Sequence, residues 1–196
     1  MPVHYGDVGC REGQSDSLRL RNQVKTKSML RCYLETGETF IMNTHLSEIQ
    51  KATIDFFNLH WPFQKWGSPP DWGQPWRLIK ANPAGNKQGV YALLNSKDEV
   101  IYIGVGASLG GGRYEGHGIG SRVGRCIRVA PNQKGIPIYE RKYVPSPKWQ
   151  QRGLSAIAAI GFTPGQAYLA YGLEAFLLSE LDPEFNKVRS ARKSNI

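Results

Sequence analysis

The feature that most constrains this chain is a pair of apolar runs separated by four polar turn residues. Gly89-Val90-Tyr91-Ala92-Leu93-Leu94 and Glu99-Val100-Ile101-Tyr102-Ile103-Gly104 flank Asn95-Ser96-Lys97-Asp98. Runs this short, rich in β-branched and aromatic residues and bounded by turn chemistry, form a β-hairpin. A hairpin alone is marginal in water and needs further strands or helices against it. The rest of the domain must therefore supply a partner strand and helical cover.

The following sequence supplies both. From Gly104 to Gly124 there are nine glycines in 21 residues, which reads as a pliant loop ending in a short helix around 121–129. Leu154 to Phe162 is apolar and glycine-bounded, a buried strand. Thr163-Pro164 then opens a helix, with threonine as cap and proline in the first turn. That helix runs to about Leu181 and stops at Asp182-Pro183. The order β-β-α-β-α predicts an α/β (α+β) domain with a small, mostly antiparallel sheet flanked by helices. The domain spans 88–187, with an extension over 1–87 and a basic tail over 188–196.

The extension is less regular. Its first thirty residues are polar and read as a surface arm. Met29–Leu34 and Thr39–Met42 read as short strands around Glu35-Thr36-Gly37-Glu38. Leu46 to Leu59 reads as an amphipathic helix with Leu46, Ile49, Ile54 and Phe57 on its apolar side. Trp61 to Trp76 holds four tryptophans among prolines. Those rings either cover the flank of the core or form an aromatic surface against bases or a partner.

Charge bears on partners rather than fold. Lys and Arg number 25 against 16 Asp and Glu, a net charge of +9, which points first to nucleic acid. No apolar run reaches the roughly 20 residues of a membrane span, and no signal-peptide pattern opens the chain. Three cysteines, Cys10, Cys32 and Cys126, show no metal-ligand spacing, which favours a reducing, cytoplasmic setting over a disulfide scaffold or zinc module.

Glu174 is the chemical anomaly of the last helix. Ala170, Tyr171, Leu177 and Leu178 are its helical neighbours, so it sits at the margin of the face made by Leu169, Leu173, Phe176 and Leu177. Its desolvation must be offset by a cation, a metal or hydrogen bonds. A structural ion pair satisfies that need as well as a functional site does. The glycine-rich loop and the segment after it hold Arg113, His117, Arg122, Arg125 and Arg128, opposed only by Glu115. Guanidinium groups match phosphate oxygens in pairs, and a helix N-terminus near Ser121 would add N–H donors. No GxxxxGK[ST] or dinucleotide fingerprint is present.

Gly89-Val90-Tyr91, ten intervening residues and Tyr102-Ile103-Gly104 together resemble the paired signature of the GIY-YIG nuclease superfamily. Gly120-Ser121-Arg122-Val123 is similar to the start of the family's arginine-bearing helix. Leu173-Glu174-Ala175 and the later Asp182-Pro183-Glu184-Phe185-Asn186 are similar to its metal-site helix and trailing asparagine. The resemblance covers Gly89 to Asn186, about half the chain. It implies a GIY-YIG-like core and a metal-dependent endonuclease that hydrolyses DNA phosphodiester bonds.

Carried over by position, Tyr91 is the candidate general base or its close partner, its proton affinity lowered by nearby cations. Tyr102 positions the attacking water or scissile phosphate. Arg122 neutralises phosphate charge, with Arg113 as its rival and His117 as a proton-transfer group. Glu174 holds one Mg²⁺ or Mn²⁺ per active site. Asn186 fixes local geometry or supports substrate contacts, and Arg125 and Arg128 bind substrate. Lys, which many members carry after the second motif's glycine, is replaced by Val105. The basic segment from Arg122 to Arg152 would contact phosphates without reading bases. The length suits a stand-alone restriction- or phage-type enzyme on double-stranded DNA, which often cuts as a homodimer. The alternatives are a non-catalytic nucleic-acid-binding module that keeps the fold, a nuclease toxin, or a protein-binding domain that uses its tryptophans.

Overall fold

The computed structural model describes residues 44–108 and 117–186, all within one compact unit. It shows a mixed α/β fold built on a small antiparallel sheet. In chain order the elements are α1 (Leu46–His60), α2 (Phe63–Trp66), β1 (Gln88–Leu94), β2 (Val100–Gly106) and α3 (Ile119–Val123). They continue with β3 (Ile127–Val129), β4 (Tyr143–Pro145), α4 (Pro147–Gln151), β5 (Ala156–Phe162) and α5 (Leu169–Glu180), and close with a 3₁₀ turn at Glu184–Asn186.

The hairpin forms as its pattern predicts. β1 and β2 pair antiparallel, and the Asn95 side chain accepts hydrogen bonds from the amides of Lys97 and Glu99 to fold the turn. β5 pairs antiparallel with the other edge of β1, so β1 is central in the order β2-β1-β5. β1 is accordingly buried on both faces. Val90, Ala92 and Leu94 pack with α1 and α5, while Tyr91 and Leu93 pack with α3, Trp76, Trp149 and Ile157.

Several expectations are corrected. The helix expected over 121–129 is only Ile119–Val123. Ile127-Arg128-Val129 leaves it and pairs with Tyr143–Pro145 as a second, two-stranded sheet, since β-branched residues flanking one arginine suit a pleated strand better than a helix. Thr163-Pro164 opens a 3₁₀ turn over Pro164–Gln166, and α5 itself starts at Leu169. In α1, Ile54 is 60% exposed. The buried face is instead Ile49, Ala52, Thr53, Phe56 and Phe57, because the Thr53 hydroxyl is tied inward to the carbonyl of Ile49 and to the Trp72 indole.

Residue 88 is not a structural boundary. Ile49, Phe56, Phe57, Trp61 and Trp72 belong to the same core as Val90, Ile160 and Leu173. The tryptophan-rich stretch covers the flank of that core. Trp61, Trp72 and Trp76 are buried, and each indole N–H donates a hydrogen bond, to Gly67 O, Thr53 Oγ1 and Ile79 O at 2.8, 2.8 and 2.7 Å. Buried rings with satisfied N–H groups are packing elements, so these three do not form the aromatic surface the sequence also allowed.

The same stretch finishes the sheet. Trp76 exchanges backbone hydrogen bonds with Ile157 on the free edge of β5, and Gly73 N–H donates to Ala159 O. On the opposite edge Val100 N–H donates to Thr44 O at 2.6 Å. These contacts pair part of each edge, which reduces the unpaired strand groups that promote association. Among the described residues no helix is long and apolar enough to cross a membrane. The arm over 1–30, the strands expected at Met29–Leu34 and Thr39–Met42, Cys10, Cys32 and the tail over 188–196 lie outside the described residues.

Candidate active site

The two signature tyrosines meet over a glycine. In the β1–β2 register Tyr91 lies opposite Gly104, and the Tyr91 and Tyr102 rings have centroids 6.2 Å apart. A Cβ on Gly104 would stand 2.8 Å from Tyr102 Cε1, Tyr91 Cζ and Tyr91 Oη. Only a residue without a side chain leaves room for both rings. Gly89 is required for a separate reason, since a Cβ there would collide with the Ile160 carbonyl of β5. The glycines of both tripeptides are thus explained by close approach across the sheet.

Four sequence-predicted groups share one electrostatic neighbourhood. Tyr91 is 6% exposed, and burial pushes its phenol well above the ordinary value. Tyr102, Cys126 and Glu174 reinforce that shift, and Arg122 opposes it. Arg122 alone does not lower the Tyr91 proton affinity below its ordinary value. Desolvation outweighs the single guanidinium, because removing water penalises the phenolate more than one solvent-screened charge helps it. Burial thus favours the neutral phenol of Tyr91.

Glu174 is 6% exposed on α5, beside the buried Ala170, Leu173 and Leu177. α5 is held to the end of β2 by Tyr171, whose hydroxyl donates to Ala107 O at 2.7 Å. Among the described residues no three His, Cys, Asp or Glu side chains gather as a metal-binding group. Glu174 is the carboxylate whose charge acts on Tyr91. A single carboxylate fits Mg²⁺, which commonly takes one or two and fills its other positions with water and phosphate oxygens.

Arg122 is exposed on α3. α3 lies hard against β2, where a Cβ on Gly106 would sit 2.6 Å from Ile119 Cα. The glycines around α3 serve this packing, and its first amides are already spent. Ile119 N–H donates to Lys87 O and Gly120 N–H to Gly85 O. These two amides are therefore not open to the phosphate expected near Ser121. Arg125 and Arg128 are exposed on the turn and strand that follow, and His117 is exposed just ahead of α3. Arg113 lies outside the described residues.

Asn186 occupies a structural position. It is buried, and its amide both accepts from Ile103 N and donates to Ile103 O, each at 2.8 Å. This pair clamps the C-terminal turn to the centre of β2, between Tyr102 and Gly104. Fixing local geometry, rather than touching substrate, is what this contact does.

Sequence reasoning missed the aromatic continuation of the site. The Trp149 ring lies 5.3 Å from Tyr102 and 6.3 Å from Phe185. Trp149 was legible only as one aromatic in a basic segment, because 46 residues of chain separate it from Tyr102. Cys126 is buried behind α3, its thiol pushed up to about 11 by desolvation. No protein-family model matches the chain, and the searches of curated proteins and of solved structures find no significant match.

Proposed function

We propose that the protein is a metal-dependent endonuclease that hydrolyses DNA phosphodiester bonds in the manner of the GIY-YIG nucleases it resembles. The observation that carries this reading is the convergence of two buried groups from distant elements, Tyr91 on β1 and Glu174 on α5, with Tyr102 and Arg122 in the same neighbourhood. A structural ion pair would not require two phenols, a carboxylate and an exposed arginine at one place. A buried phenol of raised proton affinity gathered with a buried carboxylate is a mark of functional sites.

In this reading Glu174 would hold one Mg²⁺ or Mn²⁺, which when bound would polarise the phosphoryl oxygen. Arg122 offsets the charge that builds on the phosphate as water attacks, using a planar fork that suits two oxygens. Tyr91 works with its proton on, donating a hydrogen bond to a phosphate oxygen or to the attacking water. Tyr102, half-buried beside it, orients the same water or phosphate. His117 receives or relays a proton from the solvent side, as imidazole can near neutral pH. Arg125 and Arg128 bind the flanking backbone. Double-stranded DNA, action as a homodimer and a cytoplasmic setting belong to the same proposal.

The test is nicking of supercoiled plasmid with Mg²⁺ or Mn²⁺, with EDTA, and with Glu174→Ala. Cleavage that needs the metal and falls at least a hundredfold in Glu174→Ala is the expected result. Salt-sensitive DNA binding without cleavage in either metal would replace the enzyme with a binding module.

A further inference from the structure

The short helix α4 carries a feature that the reaction chemistry leaves unused. Lys148 and Arg152, four residues apart, both lie over the indole of Trp149. Lys148 Nζ is 5.8 Å and the Arg152 guanidinium carbon 5.0 Å from the ring centroid. The Arg152 guanidinium carbon also lies over Phe185, 4.2 Å from its ring centroid. Trp149 is itself only 7% exposed, so the rings form a fixed platform under the cations.

Like charges at this helical spacing repel, and nothing local offsets them. The sequence has no Asp or Glu between Glu140 and Glu174. Among the described residues no carboxylate forms an ion pair with either side chain. The two rings meet edge-on at 82°, and a guanidinium resting in the corner between them loses little further conformational freedom on binding an anion. The platform is continuous with the site, since Trp149 also packs against Tyr102.

We infer that Lys148 and Arg152, seated on Trp149 and Phe185, form a subsite for a backbone phosphate of the DNA strand flanking the phosphate held at Tyr102. This rests on the nuclease reading for the identity of the strand. It adds two strand-positioning cations on the Tyr102 side of the sheet.

The experiment is a salt titration of a fluorescent duplex oligonucleotide bound to the full chain in EDTA, which prevents cleavage. Wild type, Lys148→Gln, Arg152→Gln, the double variant and Lys51→Gln, an exposed cation of α1, are compared. Each lost phosphate contact lowers the slope of log affinity against log salt by about 0.9, so the double variant is expected to lose about two and Lys51→Gln none. Arg152→Lys, which keeps charge but not the planar guanidinium fork, should keep the slope and bind more weakly than wild type. Unchanged slopes in the Gln variants, with wild type still binding duplex, would overturn the subsite alone. Absence of any salt-dependent duplex binding by wild type would remove both the subsite and the nuclease reading. Inorganic phosphate and chloride should compete equally at matched ionic strength. Stronger competition by phosphate in wild type, lost in the double variant, would mark a free-anion site instead.

Discussion

Tyr91 and Gly104 oppose one another across the β1–β2 ladder so closely that the tyrosine hydroxyl fills the space a Cβ on Gly104 would need, 2.8 Å away. Gly104→Ala must push Tyr91 and Tyr102 off their present positions. We expect a loss of about 1–3 kcal/mol in stability, the usual cost of overpacking a tight interior. DNA cleavage should fall far more than this, while duplex affinity stays within a few-fold. Urea unfolding and a nicking assay on the same preparation check both parts, and cleavage at the wild-type rate would refute the arrangement.

Asn186→Ala removes both side-chain bonds to Ile103 and leaves a buried backbone N–H and C=O without those partners. Each such loss costs about 1–3 kcal/mol, so the midpoint of urea unfolding should drop markedly. Duplex affinity per folded molecule should not change, because the amide faces β2. A variant of normal stability with weakened DNA binding would assign Asn186 to the substrate instead.

Alkaline pH should destabilise the fold through Tyr91 and Cys126 together. Both groups lose their protons at higher pH when folded than when unfolded. Above the ordinary thiol value near ~8.5 and the phenol value near ~10, the native state therefore binds more protons than the unfolded chain. Stability must then fall as pH rises. The contribution from the thiol is lost by about pH 11, and that from Tyr91 continues beyond. Unfolding midpoints from pH 8 to 11 should decline less steeply above pH 10 in Tyr91→Phe than in wild type. Parallel curves would show that Tyr91 is not the buried phenol responsible.

Tyr171→Phe tests how Glu174 is placed. Its hydroxyl bond to Ala107 O, 2.7 Å long, ties α5 to the end of β2 one helical turn before Glu174. Losing it should cost about 0.5–1.5 kcal/mol and lower the rate of metal-dependent cleavage. The metal concentration needed for half-maximal rate should rise, whereas duplex binding in EDTA should not move. An unchanged metal requirement would separate this bond from the site.

The sequence by itself determined the elements whose information is local. Alternating apolar residues and the Asn95–Asp98 turn specify the β1–β2 hairpin, the run before Thr163 specifies β5, and helical spacing marks α1 and α5. It also singled out Tyr91, Tyr102, Arg122 and Glu174 through the order and spacing of short motifs. Only the tertiary structure decided what depends on approach between distant segments. Ile54 faces outward because Thr53 and Trp72 satisfy one another on the inner side of α1. Residues 44–87 join the core because their backbone pairs with β5 and their rings need burial. The Tyr91 proton affinity rises chiefly because packing excludes water from the phenol, with Tyr102 and Cys126 adding to the effect. Desolvation belongs to the packed environment rather than to any one residue, and so neither that proton affinity nor the cation-capped platform beside Tyr102 could be read along the chain.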